Sequence, residues 1–393
     1  MPRRVVLAYS GGLDTSVAIP WLAERGWEVV AVAVDVGQPG DLGAAAARAL
    51  RLGAVDARVV DARDEFVNDF VLPALHVNAL YGRRYPLVSA LSRPLIARIL
   101  AEVAAETGAA AVAHGCTGKG NDQVRFEVAL AALAPDLEVL APVRDWGMGR
   151  DDTIAYAHER DLPIETTRSS PYSIDENVWG RSIECGILED PWAAPPDDVF
   201  ELTRVTGDAA PREVEIAFSA GVPIALDGES LSPLHLVEAV GKLAGSFGFG
   251  RIDTIEDRLV GIKSREVYEA PAALALIAAH SDLETLTLDR SFAREKRRLE
   301  ETWADLVYEG LWYSPLRAAI DAFVASCSHA VSGTVRLRFG PGSCTVVGRK
   351  SETALYDHSL ATYDAGDAFR HEDAAGFVRL WGLPVKQWAK THG

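Results

Sequence analysis

Val5-Val6-Leu7-Ala8-Tyr9-Ser10-Gly11-Gly12-Leu13-Asp14-Thr15-Ser16 is the stretch whose reading decides the fold. Its first five residues are β-branched or apolar and read as a buried strand; the two glycines read as a turn into a helix starting at Thr15. Adjacent glycines after a buried strand let the backbone come close to an anion, while Ser10, Thr15, Ser16 and the free amides of the helix start offer donors. The loop lacks the lysine of the GxxxxGKS/T phosphate cradle, which disfavours an ordinary kinase or GTPase. A carboxylate in a phosphate loop repels its ligand unless a divalent cation lies between them, so Asp14 points to Mg²⁺ carried by a nucleotide. The plainer reading is a tight turn with Asp14 as a helix cap.

Outward from this stretch, short β-branched runs alternate with Ala-rich helical patterns, the order that builds a parallel sheet with helices on both faces. Strands are expected at Val5 to Tyr9, Val29 to Val34, Ala57 to Val60, Ala110 to His114 and Glu138 to Leu140. Ligands of such sheets bind beyond the carboxyl ends of the strands, which singles out loops 10–15, 35–40, 61–64 and 115–122. From Pro163 to Pro196 a Pro, Ser, Asp and Trp-rich stretch shows no clear periodicity and reads as a domain boundary. The second half is mixed, with strands at Val214 to Ala217, Pro223 to Leu226 and Ile252 to Val260, a helix at Pro233 to Phe247, and helices through Ala270 to Ala325. Antiparallel strands at Thr334 to Phe339 and Cys344 to Arg349 flank the turn Gly340-Pro341-Gly342. From Ala374 through Trp381 and Trp388 the tail reads as a helix with exposed aromatics, which more often docks on another subunit than hangs free.

A chain of 393 residues is long for one core, since domains run to roughly 150 residues. Its hydrophobic share of 48% and charged share of 24% are ordinary globular values, so a core can form without a staple. The 39 Lys and Arg against 56 Asp and Glu leave a net charge of −17, which repels nucleic acid and anionic membranes at long range. An anionic substrate therefore needs a local cationic pocket. Cys116, Cys185, Cys327 and Cys344 show no metal-ligand spacing and fit a reducing compartment. The chain opens Met-Pro-Arg-Arg and enters the first strand without an apolar run long enough for a signal peptide or a span, so a soluble cytoplasmic protein is expected.

The loop before the fifth strand reads Ala113-His114-Gly115-Cys116-Thr117-Gly118-Lys119-Gly120-Asn121-Asp122-Gln123-Val124-Arg125-Phe126-Glu127. A Gly-rich turn here feeds a helix beginning near Asn121, and Asp122 and Arg125, three apart, project to one side. An acid for an amino group and a guanidinium fork for a carboxylate would then face one volume, which suits a zwitterion. The alternative is a capped helix whose Asp122 and Arg125 pair with each other on the surface.

Residues 8–16, AYSGGLDTS, resemble the pyrophosphate-binding loop of the N-type ATP pyrophosphatases, which cleave ATP between its α and β phosphates and adenylate a substrate. The 113–127 string closely resembles the matching segment of the argininosuccinate synthases, with Cys116 in the usual alanine position. Further segments agree in the family's order: Asp35-Val36-Gly37-Gln38, Ser92-Arg93-Pro94, Tyr172-Ser173-Ile174-Asp175-Glu176-Asn177, Gly186-Ile187-Leu188-Glu189-Asp190-Pro191, Gly250-Arg251-Ile252-Asp253 and 261–269. The resemblance covers essentially the whole chain. Glutamine-dependent and tRNA-thiolating relatives of the wider group need an ammonia-generating domain, or paired cysteines and a basic RNA face, and this sequence carries neither signal.

The resemblance implies an α/β fold: a Rossmann-like, adenine nucleotide alpha hydrolase-like ATP-binding domain over 1–165, a mixed α+β synthetase and oligomerisation domain over 166–370, and a C-terminal oligomerisation helix over 371–393. It implies ligation of L-citrulline to L-aspartate with ATP, through a citrullyl adenylate, in arginine biosynthesis and the urea cycle, by a homotetramer that binds neither nucleic acid nor membrane. Carried over by position, ATP would meet Ala8, Tyr9, Ser10, Gly11, Gly12, Leu13, Asp14, Thr15, Ser16, Val34 and Gly115; Mg²⁺ would ride on its phosphates with no protein metal site. Aspartate would meet Thr117, Asn121 and Asp122; citrulline would meet Tyr85, Asn121, Arg125, Ser173, Ser182, Glu256 and Tyr268. Asp14, Asp122 and Arg125 would be catalytic, and Lys119 a nearby cation for departing pyrophosphate. Ala90 stands where some members carry a citrulline-contacting serine, which leaves Ser89 and Ser92 as substitutes and a citrulline analogue as an alternative substrate. An inactive nucleotide-binding scaffold is the other alternative, disfavoured because Glu256 and Tyr268 are retained.

Overall fold

The computed structural model describes residues 3–162, 171–206, 210–364 and 366–393. Strands β1 (Arg3–Ala8), β2 (Trp27–Asp35), β3 (Asp56–Asp61), β4 (Ala111–Ala113) and β5 (Glu138–Leu140) form a parallel sheet in the order β3-β2-β1-β4-β5. The central strands are apolar on both faces because helices cover both. Val5, Leu7, Val29 and Ala31 pack with Ala18, Ile19, Ala45 and Ala49 from the helices Leu13–Ala23 and Leu42–Arg51. Val6, Val30 and Val32 join Leu91, Leu95 and Leu100 of the helix Val88–Thr107 on the other side. The chain reverses its lateral direction between β3 and β4, which opens a crevice at the carboxyl ends of β1 and β4.

The second half contributes β6 (Ser173–Asn177), β7 (Gly180–Glu184), β8 (Arg212–Ser219), β9 (Val222–Leu226), β10 (Glu229–Ser230), β11 (Arg251–Asp257), β12 (Lys263–Glu269), β13 (Gly333–Gly340) and β14 (Ser343–Lys350). They assemble into two antiparallel sheets, β11-β12-β7-β6 and β10-β9-β8-β13-β14. The helices Pro233–Ser246 and Pro271–Thr287 pack on each other and on the larger of these sheets. One apolar cluster runs from Val6 of the first half to Phe339 of the second.

The β6–β7 hairpin seats the second half on the first. Trp179 in its turn is buried and donates its indole N–H to the Pro86 carbonyl at 2.9 Å, while Asn177 Nδ2 donates to the Val88 carbonyl at 2.8 Å. The Val178 amide bonds the Val36 carbonyl at 2.9 Å, and a Cβ on Gly37 would collide with the Val178 side chain. Gly37 also sits at φ +94°, a backbone conformation that disfavours a side chain.

Several expectations change. The hairpin lies in the stretch that reads as aperiodic, and the boundary between 165 and 166 falls outside the described residues. The strand expected to reach Val260 stops at Asp257, turns through Gly261 at φ +86°, and returns as β12. The run from Ala270 is three helices: Pro271–Thr287, Arg290–Tyr308 and Pro315–Ser328. The tail is two helices, His371–Trp381 and Leu383–His392, broken where Gly382 and Pro384 interrupt the pattern. Among the described residues no helix is long and apolar enough to cross a membrane.

Glu269 ties β12 to the 201–203 segment: its buried carboxylate accepts from Arg181 Nη1 at 2.9 Å, the Glu201 amide at 2.9 Å, the Thr203 amide at 2.8 Å and the Thr203 hydroxyl at 2.7 Å. Glu269→Ala removes the fully buried one of the carboxylates that pair with the Arg181 guanidinium, so we expect a loss of about 3 kcal/mol, read as a lower midpoint in urea unfolding. A midpoint matching the parent would show that this network adds no net stability.

Candidate active site

The loops after β1, β2 and β4 open into one cavity of about 600 Å³, a volume that suits small-molecule ligands. Its opposite wall is the β11-β12-β7-β6 sheet. Cross-strand pairing sets Asp175 against Ser182 and Ser182 against Tyr268, so strand alternation turns Ser173, Asp175, Ser182, Glu184, Tyr268, Glu266 and Glu256 to one face. All seven line the cavity. Ile183 and Val267 point to the reverse face and pack with Leu188 and Phe200.

The glycine loop contributes Ser10, Asp14 and Thr15 to the lining, next to Ala8, Tyr9 and Val34. Ser10 and Thr15 hydroxyls lie 3.0 Å apart. The helix starts at Leu13, two residues earlier than expected, with Gly12 at its N-cap; Asp14 therefore sits in the first turn, where a carboxylate is favoured by the helix dipole, and does not cap it. Gly11, Gly12, Leu13 and Ser16 are not among the lining residues. Gly11, at φ +75°, faces Ala45 and Arg48, and the Ser16 hydroxyl is buried 3.1 Å from that of Tyr9. Loops 10–15, 35–40 and 115–122 reach the cavity; 61–64 does not, because β3 is the sheet edge.

From the third loop come Gly115, Cys116, Thr117, Gly120, Asn121, Asp122 and Arg125. His114 shapes this turn: its Nδ1 accepts from the Cys116 amide at 3.3 Å and its Nε2 lies 3.2 Å from Glu127 Oε1. Burial pushes the His114 imidazole below its usual range, with Glu127 opposing. Lys119 does not line the cavity; its carbonyl accepts from Arg258 at 3.4 Å, and among the described residues the lining cations are Arg93, Arg125 and Arg258.

Asp122 and Arg125 do share one side of the helix Asp122–Leu133, and they bond each other, Nη1 to Oδ1 at 2.8 Å, within the cavity wall and not on the surface. Arg125 Nε also donates to the Tyr308 carbonyl at 3.0 Å, so part of its fork is committed to the protein. Arg93 takes the other Asp122 oxygen through Nε at 2.9 Å and Nη2 at 2.7 Å, and reaches Asp175 at 2.8 Å. Burial works against ionisation of Asp122, but Arg93 and Arg125 outweigh it and hold its carboxyl well below the usual carboxylate range.

Tyr85 and Tyr268 stack with centroids 4.1 Å apart, and the Tyr268 hydroxyl donates to Glu256 Oε1 at 2.7 Å. Burial raises both phenols, which keeps their hydroxyls protonated, and burial also raises the Glu256 carboxyl. Ser89 lines the cavity with its hydroxyl 3.5 Å from that of Ser182, whereas Ser92 is buried against Ser89 and Arg93, and Ala90 belongs to the core.

Arg93, Asp175, Glu184, Arg258, Glu266 and Tyr308 are lining residues that the sequence reading did not assign. Arg93, Asp175 and Glu266 stand inside the strings Ser92-Arg93-Pro94, Tyr172 to Asn177 and 261–269, which were the available signal. Among the described residues three arginines line the cavity with seven carboxylates, Asp14, Asp122, Asp175, Glu176, Glu184, Glu256 and Glu266, so the wall favours ligands that bring ammonium groups or a cation.

The family model described as Arginosuccinate synthase N-terminal HUP domain matches residues 4–163, and that described as Arginosuccinate synthase C-terminal domain matches 172–388. An argininosuccinate synthase of Halalkalibacterium halodurans is 54% identical over 392 residues, covering 99% of this chain and 96% of its own. One of Synechococcus elongatus is 54% identical over 395 residues, covering 99% and 98%. A solved 4-thiouridine synthetase, in complex with RNA and with bound ATP, is 22% identical over 40% of each chain with a TM-score of 0.30.

A Cβ on Gly115 would stand 2.7 Å from the Thr15 methyl, where the first and third loops meet. Gly115→Ala is expected to push these loops apart and weaken ATP binding about ten-fold in equilibrium titration, the scale of a 1–3 kcal/mol overpacking cost. Unchanged affinity would mean that this junction does not shape the nucleotide site.

Proposed function

The chain belongs to the argininosuccinate synthase family, and from that premise we propose how its cavity works. It is a carbon–nitrogen ligase of arginine biosynthesis that converts ATP, L-citrulline and L-aspartate to argininosuccinate, AMP and pyrophosphate through a citrullyl adenylate. The observation that carries the site assignment is the single cavity into which both the glycine loop and the polar face of β6, β7, β11 and β12 open.

ATP lies with its phosphates against Ser10 to Thr15 and its nucleoside toward Val34 and Gly115. Backbone amides at the start of the helix Leu13–Ala23 stabilise negative charge there. Among the described residues no group of three or more His, Cys, Asp or Glu side chains could cage a metal, while Asp14 on the phosphate loop is a suitable shared ligand for a phosphate-borne Mg²⁺. When bound, that ion would neutralise charge on the pyrophosphate as it departs.

Citrulline is held by Tyr85, Asn121, Arg125, Ser173, Ser182, Glu256 and Tyr268, with the Glu256 carboxylate placed for its α-ammonium group. Aspartate is held by Thr117, Asn121 and Asp122. The ureido oxygen attacks the α phosphate because the ureido carbon is deactivated by two nitrogens and its oxygen is a poor leaving group; adenylation turns that oxygen into AMP. The aspartate nitrogen then displaces AMP. Holding both amino acids in one enclosed volume supplies the proximity that makes the second step fast. Ala90 belongs to the core, so the substitution there gives no reason to prefer a citrulline analogue.

The reading extends to a cytoplasmic homotetramer. Four unpaired cysteines support the compartment. The tail supports assembly: Phe377, Leu380, Trp381, Val385 and Trp388 are 61–73% exposed, and no residue of its two helices is buried. Deleting residues after 368 should give smaller particles by light scattering; a tetramer that survives the deletion would refute the role given to the tail.

The central test is release of pyrophosphate from MgATP with citrulline and aspartate added singly and together, with the product identified by mass. Argininosuccinate and AMP are expected only with both amino acids. Asp14→Ala and Arg125→Ala should each lower kcat/KM by about 100-fold or more, the scale of losing a charged group that orients a reacting phosphate or carboxylate. Full activity in either variant would remove that residue from the site.

A further inference from the structure

The second step needs an acceptor for a proton: aspartate enters as an ammonium ion, and its nitrogen has no lone pair until one proton leaves. We propose that Glu184 is the general base that takes this proton. The proposal rests on the ligase reading above and deepens it by naming the group that starts the second step.

Position is the first argument. Glu184 closes β7 two residues after Ser182 and on the same face, so it lines the cavity beside the wall assigned to citrulline. Its Oε2 accepts from Arg258 Nη2 at 2.5 Å, and Arg258 reaches across to the Lys119 carbonyl at 3.4 Å. The next residue, Leu259, donates its amide to Asn121 Oδ1 at 2.9 Å. One guanidinium therefore separates the Glu184 carboxylate from the 117–122 loop assigned to aspartate. Glu184 stands between the two amino acids to be joined, and its side chain is 35% exposed, enough to pass a proton on to water.

Glu184 shares its cation, Arg258, with Glu266, and five of the other lining carboxylates have bonds of their own. Asp122 is gripped by Arg93 and Arg125, and Asp175 by Arg93. Glu256 accepts from Tyr268, and Glu266 Oε1 accepts from both Arg258 at 2.9 Å and Ser264 at 2.7 Å. Glu176 pairs with Arg181, which alternation places on the reverse face of the hairpin.

The charges that face Glu184 are Arg258 from the turn after β11, Glu266 from β12 and Asp122 from the helix Asp122–Leu133, with the Cys185 thiol next in sequence. Burial, then repulsion by Glu266, outweighs Arg258 and lifts the carboxyl to about 7. A base in that range is ionised enough to accept at neutral pH and basic enough to compete for an ammonium proton.

In the step itself a Glu184 oxygen takes one N–H proton. The freed lone pair forms the C–N bond to the former ureido carbon, and the C–O bond to AMP breaks with its electron pair leaving on the phosphate oxygen. The second proton lost from that nitrogen goes to the departing phosphate, and Glu184 returns its own to water. Only this step depends on the base, because the ureido oxygen that attacks ATP carries no proton.

The test is Glu184→Gln in the full chain, with MgATP, citrulline and aspartate together, quenched in acid over a single turnover. Pyrophosphate should form once per site at a rate within about two-fold of the parent, while argininosuccinate formation falls about 100-fold or more, the usual contribution of a general base. In the parent, formation of argininosuccinate should fall as pH drops through the Glu184 range, since protonation removes the acceptor. Glu184→Asp should keep that acid limb with a partly restored rate; if the Gln variant does not fold, the Asp variant is read alone, with argininosuccinate formation slowed and pyrophosphate formation within about two-fold of the parent. Pyrophosphate and argininosuccinate falling together, as loss of the Arg258 clamp would cause, overturns the proposal; so does synthesis at the parent rate. A parent that forms no pyrophosphate overturns the ligase reading first, and that failure is seen before any variant is made.

Discussion

The guanidinium of Arg93 fixes the site, because it bonds carboxylates on two elements far apart in sequence. Asp122 begins a helix of the parallel-sheet half, Asp175 lies in a strand of the other half, and Arg93 itself projects from the helix Val88–Thr107 between them. A buried cation demands compensation, and an uncompensated one costs several kcal/mol. The two halves therefore satisfy this charge only in one relative position. That position also sets Asp122 against Arg125 and sets the polar face of the hairpin opposite the phosphate loop. Geometry that the chemistry requires is thereby a condition of stability as well.

The same electrostatics divides the work among the cavity's acids. Where two arginines outweigh burial, as at Asp122, the carboxyl stays ionised; where burial and a neighbouring carboxylate outweigh the arginine, as at Glu184 beside Arg258, it holds a proton more readily. Glu184 and Asp122 differ in this way although both line one cavity, and no property of the two residues in isolation distinguishes them. The raised phenols of Tyr85 and Tyr268 keep their protons for the same reason; the Tyr268 hydroxyl donates to Glu256, and the Tyr85 hydroxyl accepts from the Ser89 amide at 3.0 Å.

Local pattern made some of this legible and could not reach the rest. The strand ending in the glycine loop is recognisable because its apolar run, its glycines and its helix start are contiguous. The pairing of Asp122 with Arg125 follows from helical spacing. The β6–β7 hairpin is invisible to hydrophobic alternation: Ser173, Asp175, Ser182 and Glu184 face a wet cavity, and Glu176 and Arg181 on the other face form a buried ion pair. Each strand has one isoleucine on that reverse face, Ile174 and Ile183, and a single apolar residue makes no period-two signal. Arg93 was beyond sequence reasoning for a different reason, since its partners lie 29 and 82 residues away and only the fold brings them together. The strings shared with the family marked these segments without saying what each side chain does.

The contact of Gly37 with Val178 bears on how such shared strings should be interpreted. Position 37 is closed to every side chain twice over, by its backbone conformation and by the neighbour that fills the space. Selection would hold it as rigidly as any residue that touches a reacting atom. Invariance at Asp35-Val36-Gly37-Gln38 across a lineage would thus record the seat of a hairpin, and a search that ranks sites by constraint alone would mistake a hinge-pin for a catalyst.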